Sequence, residues 1–279
     1  MKKLILATVA GAALTMAAGA ASAADPTDWT GVYIGVSAGL ADRNESGGET
    51  ILFDTNLDGN YGDTVNTAAG ANAFSPGFCG GSFNTNAAGG GCRKDDDTDT
   101  EIGVRLGYDH QIMGNFVIGA LVEYNQLELQ DAVTAFSTTP ASYNFTRKLT
   151  STFAVRARAG YAVDNLLIYA TGGYAVGNMR HSFRTTNGVN AFPVSGGGDA
   201  KGYQLGFGAE YRIMPNVSIG VEAIRTSLED DDFTTRASNS GTTAATNPFL
   251  LVNTAGTDFL RSDDDFEYNS IRATLSYRF

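Results

Sequence analysis

The last ten residues, SIRATLSYRF (270–279), alternate strictly between apolar and polar side chains. Successive side chains of a β-strand point to opposite faces, so an extended chain here has one apolar face. The residues of that face are Ile271, Ala273, Leu275, Tyr277 and Phe279. The stretch ends on an aromatic residue with no polar tail, and it predicts a strand whose apolar face is covered by something other than water.

Seven earlier segments follow the same two-residue period. In one of them Ile102, Val104 and Leu106 share a face, and Arg105 lies between them on the other. Each segment is about as long as a tilted strand needs to cross a bilayer. The eight candidate strands are residues 29–41, 100–112, 116–127, 150–163, 166–178, 201–213, 217–227 and 267–279.

The opposite face of these segments holds small residues and nearly all of the charges. A soluble sandwich would direct such a face to water and would be rich in lysine. Here the outward-side charges occur only near strand ends, at Lys201 and Arg225. Backbone groups cannot remain unpaired in lipid, so a spanning sheet must close on itself, and an even strand number suits a bacterial barrel.

The connections between the candidate strands alternate in length. Tight turns at 113–115, 164–165 and 214–216 alternate with long polar segments at 42–99, 128–149, 179–200 and 228–266. Short periplasmic turns and long extracellular loops are typical of outer-membrane barrels. The sequence therefore predicts an all-β fold, a transmembrane eight-stranded antiparallel up-and-down β-barrel with long extracellular loops.

The N-terminal segment predicts export. Lys2 and Lys3 precede the apolar stretch 4–19, and Ala21-Ser22-Ala23 has the small-residue pattern of a cleavage site. Residues 1–23 are thus predicted to be a signal peptide, and residues 24–279 one barrel domain. The alternative, an uncleaved membrane anchor, is disfavoured because alanine, glycine and threonine drive membrane insertion weakly. The net charge of −11 argues against a nucleic-acid partner.

Four stretches carry a resemblance to a known family. WTGVYIGVSAG (29–39), VRARAGYAVDNLLIYATGGYAVG (155–177), GFGAEYRIMPNVSIGVEA (206–223) and SIRATLSYRF are similar to the small outer-membrane β-barrel family that includes the Omp25/RopB-like and opacity-type proteins. The similarity extends distantly to the OmpA transmembrane domain. It implies an eight-stranded barrel in the outer membrane of a Gram-negative bacterium, but no single activity, since members serve as envelope structure, surface antigens, adhesins or narrow porins.

The end of the chain also resembles an assembly signal. An alternating apolar strand that ends in Phe279, with Tyr277 two residues earlier, is similar to the signal read by the outer-membrane barrel assembly machinery. This machinery is the partner expected during biogenesis.

The inward faces of the predicted strands carry eleven charged residues. Buried charges require partners, so these residues are expected to form ion pairs. Two interpretations remain open: a lumen plugged by ion pairs, in keeping with the narrow interior of eight strands, or a narrow charged path for small hydrophilic solutes. The residues are Glu101, Arg105, Asp109, Glu123, Arg156, Arg158, Glu210, Arg212, Glu222, Arg272 and Arg278.

The long first segment contains two candidate sites. Cys79 and Cys92 predict a disulfide, because an exported protein meets oxidising conditions. The stretch DTNLDGNYGD (54–63) matches the opening of a calcium loop, although Val65 occupies the position of its final glutamate. The alternative is a solvated turn. The candidate calcium ligands are Asp54, Asn56, Asp58, Asn60 and Asp63.

Three acidic runs lie at the bases of predicted outer loops, at 95–97, 230–232 and 263–265. They are interpreted either as solvated charge or as sites where divalent cations bridge to lipopolysaccharide phosphates. Outer-membrane lipid and lipopolysaccharide are accordingly the expected partners.

Catalysis is not expected. The only histidines are His110 and His181, and Ser182 next to His181 would face the other side of the strand. A nucleophilic serine needs a histidine within hydrogen-bond reach, and no G-x-S-x-G motif occurs. The predicted function is a structural or surface-facing barrel, expected to be monomeric and without a resident cofactor. The alternatives are a narrow porin, or an adhesin that acts through residues 42–99.

Overall fold

The computed structural model describes residues 28–43, 48–94, 98–230 and 232–279. The predicted signal peptide and the acidic run 95–97 lie outside the described residues. Within them, none of the helices has the length and apolar character needed to cross a membrane.

The described residues form sixteen strands and two short 3-10 turns, at Ala88–Gly90 and Pro248–Leu250. The strands in chain order are β1 (Gly31–Arg43), β2 (Ile51–Asp54), β3 (Gly77–Gly80), β4 (Ser82–Phe83), β5 (Cys92–Arg93), β6 (Thr98–Ile112), β7 (Phe116–Ser137), β8 (Ala141–Val163), β9 (Leu166–Thr185), β10 (Asn190–Ala191), β11 (Val194–Gly196), β12 (Ala200–Met214), β13 (Val217–Glu229), β14 (Phe233–Asn239), β15 (Thr257–Arg261) and β16 (Asp265–Arg278).

Eight of these strands close into a barrel. Their order around it is β7-β6-β1-β16-β13-β12-β9-β8, and β8 returns to β7. All the pairings are antiparallel, including the one between the first and last strands, in which Tyr33 lies opposite Arg278. The eight-stranded antiparallel barrel predicted from the period-two pattern is confirmed.

The outer surface of the barrel is apolar between two aromatic belts. Ile271 and Phe207 are 71% and 69% exposed. On the side of the long loops, the upper belt consists of Tyr124, Phe153, Tyr174 and Tyr203, which occupy four adjacent strands. At the turn end, the lower belt consists of Phe116, Tyr161, Tyr277 and Phe279. Aromatic girdles of this kind mark the two bilayer interfaces.

Two of the segments predicted as long loops are largely strand, which corrects the prediction. Strands β7 and β8 run well past the upper belt and are joined only by the turn at 138–140. Strand β9 likewise continues to Thr185. These extensions form because their side chains find apolar partners above the membrane, in a second sheet.

That second sheet joins β10, β14, β15 and β2, and β11 pairs with β14. It packs against the extended parts of β7, β8 and β9, and the two sheets enclose a hydrophobic core. We call this unit the outer sandwich. Its core residues are Ile51, Phe53, Val65, Ala73, Phe74, Val133, Ala135, Ala141, Tyr143, Phe145, Ala237, Phe249 and Phe259, with Phe183, Phe192 and Phe233 packed against them.

A bulge in β8 explains a change of face that the simple alternation misses. The register shifts between Leu149 and Ser151. Below the bulge the inward residues are even-numbered, such as Thr152, whereas above it Leu149 and Arg147 are buried. One extra residue reverses the two faces of a strand.

Candidate functional site

The charges at mid-height in the lumen form one group, the central charge cluster. Strand alternation directs these side chains inward from β6, β7, β8, β13 and β16, at neighbouring register positions. All of them are almost completely buried. The cluster consists of Glu101, Glu123, Glu222, Arg105, Arg156 and Arg272, so it is formally neutral.

The carboxylates of this cluster are bridged by shared guanidinium groups. Arg105 donates to both oxygens of Glu222, at 2.8 and 3.2 Å. Arg272 lies 3.0 Å from Glu222 and 2.8 Å from Glu123. Arg156 adds a contact to Glu123 at 3.1 Å, and the hydroxyl of Tyr169 donates to Glu222 at 2.7 Å. Such sharing offsets the cost of burying each charge.

A second group lies nearer the short turns, the lower charge cluster. Arg158 contacts Asp109 through Nε at 2.7 Å and Glu210 at 2.7 Å. Arg278 lies 2.7 Å from the same Asp109. Aromatic rings cover the cations, since the guanidinium of Arg158 lies 4.6 Å from the ring centre of Tyr33. The ion-paired members are Asp109, Glu210, Arg158 and Arg278, so the two clusters hold ten of the eleven residues predicted for the lumen. The eleventh, Arg212, is buried at the same end, where it donates to the Asp28 carbonyl at 2.9 Å and lies over the ring of Trp29.

An apolar layer, which the sequence did not predict, lies above the central charge cluster. Along β7 the inward order is Glu123, Asn125, Leu127, Leu129 and then Asp131, so apolar side chains separate two charged levels. The layer contains Ala41, Leu127, Leu129, Leu149, Ala154, Ala175, Met179, Ala200, Leu228, Phe266 and Tyr268. The layer was not predicted because the bulge in β8 was not recognised. Without the bulge, the alternation of β8 assigns Leu149 to the lipid face.

A third charged level, the upper charge layer, separates the apolar layer from the outer sandwich. Arg147 donates to Asp131 at 3.0 Å, and these residues are direct cross-strand partners in the β7–β8 hairpin. Arg261 contacts Asp131 and, at 2.7 Å, Glu49, while Arg43 lies 3.3 Å from Asp131. Burial raises the pKa of Glu49 to about 7, although Arg261 opposes this shift.

The geometry is that of a closed barrel with an apolar outer surface, and comparisons with known proteins agree with an outer-membrane barrel. Residues 10–279 match the model of the family described as the outer membrane protein beta-barrel domain. The chain belongs to this outer-membrane β-barrel family. The resemblance noted in the sequence is thereby confirmed, and the protein resides in the outer membrane of a Gram-negative bacterium.

Two curated relatives of this barrel protein are each named 31 kDa outer-membrane immunogenic protein. They come from Brucella melitensis biotype 1 and Brucella suis biovar 1, and each is 29% identical over 240 residues, covering 82% of this chain and 88% of the relative. Among solved structures, the outer membrane protein OprG from Pseudomonas aeruginosa superimposes with a TM-score of 0.50 at 11% identity, covering 91% of this chain and 99% of that one. That likeness shows the fold alone.

In this outer-membrane barrel the residues predicted to bind calcium form a turn stabilised by hydrogen bonds. Asp54 accepts the backbone N–H groups of Leu57 and Gly59, at 2.7 and 2.8 Å. The N–H of Asn60 donates to Asp58 and holds the pKa of this carboxyl below its ordinary value. Asn56 donates to Asp58, and Asp63 accepts from Thr55, so each of the five side chains takes part in or borders this turn. Calcium binding here stays a prediction.

Cys79 and Cys92 are joined as a disulfide in the extracellular part of the barrel protein. The bond connects β3, which pairs with β7, to β5. It therefore fastens the segment 80–92 to the extended sheet of the outer sandwich.

The histidines do not form a catalytic pair with serine. His110 is exposed on the outward face near a short turn. His181 lies 2.9 Å from Asp230 and stacks on Phe233, while Ser182 points to the opposite face. Among the described residues, the acidic group compact enough to suggest a metal is Asp263–Asp265, which is largely exposed.

Proposed function

We propose that this outer-membrane protein is a structural, surface-facing barrel whose lumen is closed to solutes. The observation that carries the proposal is the apolar layer stacked on the neutral central charge cluster. A hydrophilic solute would lose its water at that layer, where apolar side chains replace few of its hydrogen bonds, and this is unfavourable for the polar groups it carries. An eight-stranded interior is narrow enough for side chains to fill, in agreement with this reading.

Planar-bilayer recording of the refolded mature protein tests the closed lumen. We expect no conductance steps from wild-type protein that is shown to be folded by its shift in gel migration on heating. The L127A/L149A/F266A variant thins the apolar layer and should raise the frequency of openings. A matched variant, V122A/V155A/I271A, removes three lipid-facing side chains and should stay silent. Stable, reproducible steps from the wild type would favour the narrow porin instead.

A loop-mediated binding role is the second candidate, and the outer sandwich supports it. The sandwich holds a cavity of about 220 Å³ beside Tyr143 and Phe249, walled by 137–141 and 186–189. Deleting 42–99 is a poor test, because Phe53 and Phe74 belong to the sandwich core. If the sandwich is an adhesin, cells that display the T138A/T139A variant, which changes two exposed residues, should adhere less than cells that display the wild type. Unchanged adhesion would count against the adhesin and would leave the structural role as the remaining candidate.

We also infer that the protein is not an enzyme. The support is the environment of His181, whose ring contacts a carboxylate and an aromatic ring. Incubation of the refolded protein with phospholipid should release no fatty acid. Release that disappears in the H181A variant would overturn this inference.

The C-terminal strand supports a role for the barrel assembly machinery. Tyr277 and Phe279 pack together at the lower belt, with ring centres 5.1 Å apart, and the Phe279 N–H donates to Val32 at 2.9 Å. We propose that F279A slows insertion in cells more than refolding in detergent, because the folded barrel loses only one exposed ring. The protein is expected to work as a monomer.

A further inference from the structure

The rim just above the upper belt carries outward charges of both signs, with cations on β8, β9 and β12, both signs on β13, where Glu229 lies, and acids on β16 and β1. Outward positions on β16 and β1 carry acids, among them Glu267 and Asp42. The outward cations lie on β8, β9, β12 and β13, although the whole chain has a net charge of −11. These cations are Lys148, Arg180, Arg184, Lys201 and Arg225.

Only some of these cations are already engaged. Lys148 lies 2.9 Å from Glu128, and Arg225 lies 2.7 Å from Glu267. Arg180 and Lys201, by contrast, have no carboxylate within 4.0 Å among the residues the structure describes, although Glu229 is the cross-strand partner of Lys201.

Arg184 continues the row of cations on β9. Its guanidinium lies 5.8 Å from the ring centre of Phe83, and within the described ranges no acid contacts it. It is two outward positions beyond Arg180 on the same face of the strand. Asp199, which lies nearby, accepts from Asn178 at 2.9 Å.

The position of this row relative to the membrane identifies its partner. Lys201 is two residues beyond Tyr203 of the upper belt, which is about 7 Å along a strand. Arg180 lies further out on the neighbouring strand β9, where Val176 is the partner of Lys201. Cations at these heights face the headgroups of the outer leaflet, at which phosphorylated sugars are the available anions.

We propose that Lys201, Arg180 and Arg184 form a binding site for the phosphorylated glycolipid headgroup of the outer leaflet. Lys201 binds phosphate next to the acyl chains, and the two arginines bind anionic groups on the sugars above it. Arginine suits this role because its planar fork of N–H donors matches phosphate oxygens. The site needs the outer-membrane position but not a closed lumen, so a conducting barrel would leave it intact.

Binding of purified lipopolysaccharide to the refolded full-length mature protein in detergent tests the site. R180Q/K201Q should weaken binding about tenfold or more, since each cation near an anionic lipid surface contributes on the order of a fivefold effect. The matched variant K148Q/R225Q removes the same charge from the same rim but from cations held by acids, and it should change binding less than about threefold. Gel migration before and after heating verifies that each variant is folded.

Two further arms identify the ligand. Lipopolysaccharide treated with phosphatase keeps its acyl chains and sugars, and it should bind the wild type as weakly as untreated lipid binds R180Q/K201Q. Excess inorganic phosphate should displace little lipid. The proposal would be overturned if the two double variants lost equal binding or if R180Q/K201Q bound as the wild type does. Full binding of the treated lipid, or complete displacement by inorganic phosphate, would also overturn it.

Discussion

Glu222 is one of two carboxylates, with Glu123, that contact all three arginines of the central charge cluster. It faces Arg105, Arg156 and Arg272 within 3.6 Å. The change E222Q leaves the central charge cluster with one uncompensated buried positive charge. We expect the free energy of unfolding to fall by about 3–5 kcal/mol, as is usual when one partner of a buried pair is removed. Urea unfolding in detergent, followed by the fluorescence of the single tryptophan, Trp29, measures it.

The control for this change is E267Q, which removes a carboxylate from an exposed pair with Arg225. Exposed pairs contribute less than about 1 kcal/mol. If both variants lose the same stability, the lumen charges are hydrated and do not depend on one another.

Glu49 makes stability depend on pH. Its pKa is about 7 in the folded protein and 4.5 ordinarily, so between these values the folded state binds more protons than the unfolded chain. The contribution of this group to stability is therefore greatest below pH 4.5 and falls as the pH rises to 7. In E49Q the decline should be shallower, by about 1.4 kcal/mol for each unit of pKa shift. Urea unfolding at a series of pH values, followed by near-ultraviolet circular dichroism, measures the difference, and parallel curves would refute the assignment.

At the scale of single elements, the disulfide should act locally. The bond closes a short segment between β3 and β5 that lies beside the β7–β8 hairpin and outside the membrane. Closing a loop of this size stabilises it by about 3 kcal/mol in the chain-entropy model. C79S/C92S should accelerate hydrogen exchange in 80–92 without altering exchange in β12 and β13. Faster exchange in those two strands would show that the bond supports the whole barrel.

The elements also show where sequence reasoning works and where it stops. The period of two predicts each barrel strand and the side chains that point inward, because every side chain of such a strand faces either the lipid or the lumen. It could not pair Arg105 with Glu222, which are 117 residues apart and meet only once the barrel stagger is known. The bulge beside Thr150 was missed for a different reason. One inserted residue exchanges the inward and outward faces of β8, while the proportion of apolar residues in the strand stays nearly the same.

In the part of the chain that the structure describes, the upper charge layer separates two apolar bodies, the core of the outer sandwich and the apolar layer of the lumen. Phe259 lies at the centre of the outer one, with Phe53 and Phe249 at 5.0 and 5.2 Å between ring centres. F259A should lower the stability of the outer sandwich by about 3–5 kcal/mol. Near-ultraviolet circular dichroism should then report an early transition, while Trp29 fluorescence still reports a folded barrel.

V252A, which truncates an exposed side chain, is the matched control and should leave both signals unchanged. A single shared transition in F259A would mean that barrel and sandwich unfold as one unit. The sequence did contain a sign of the sandwich, since twelve of the 16 phenylalanines fall in the four segments taken as polar loops. The four segments are polar on average, and no single one holds enough apolar residues to form a core by itself. The sandwich was therefore not predicted.

The composite origin of the outer sandwich has a consequence for immune recognition. The extended β7–β8 hairpin and strands from the segments after β1, β9 and β13 all contribute to it, so its surface juxtaposes residues that are far apart in the chain. Antibodies raised against a linear peptide from any one of these segments should recognise the denatured protein and bind intact cells poorly. Antibodies raised against folded protein should show the reverse preference, because their epitopes are discontinuous.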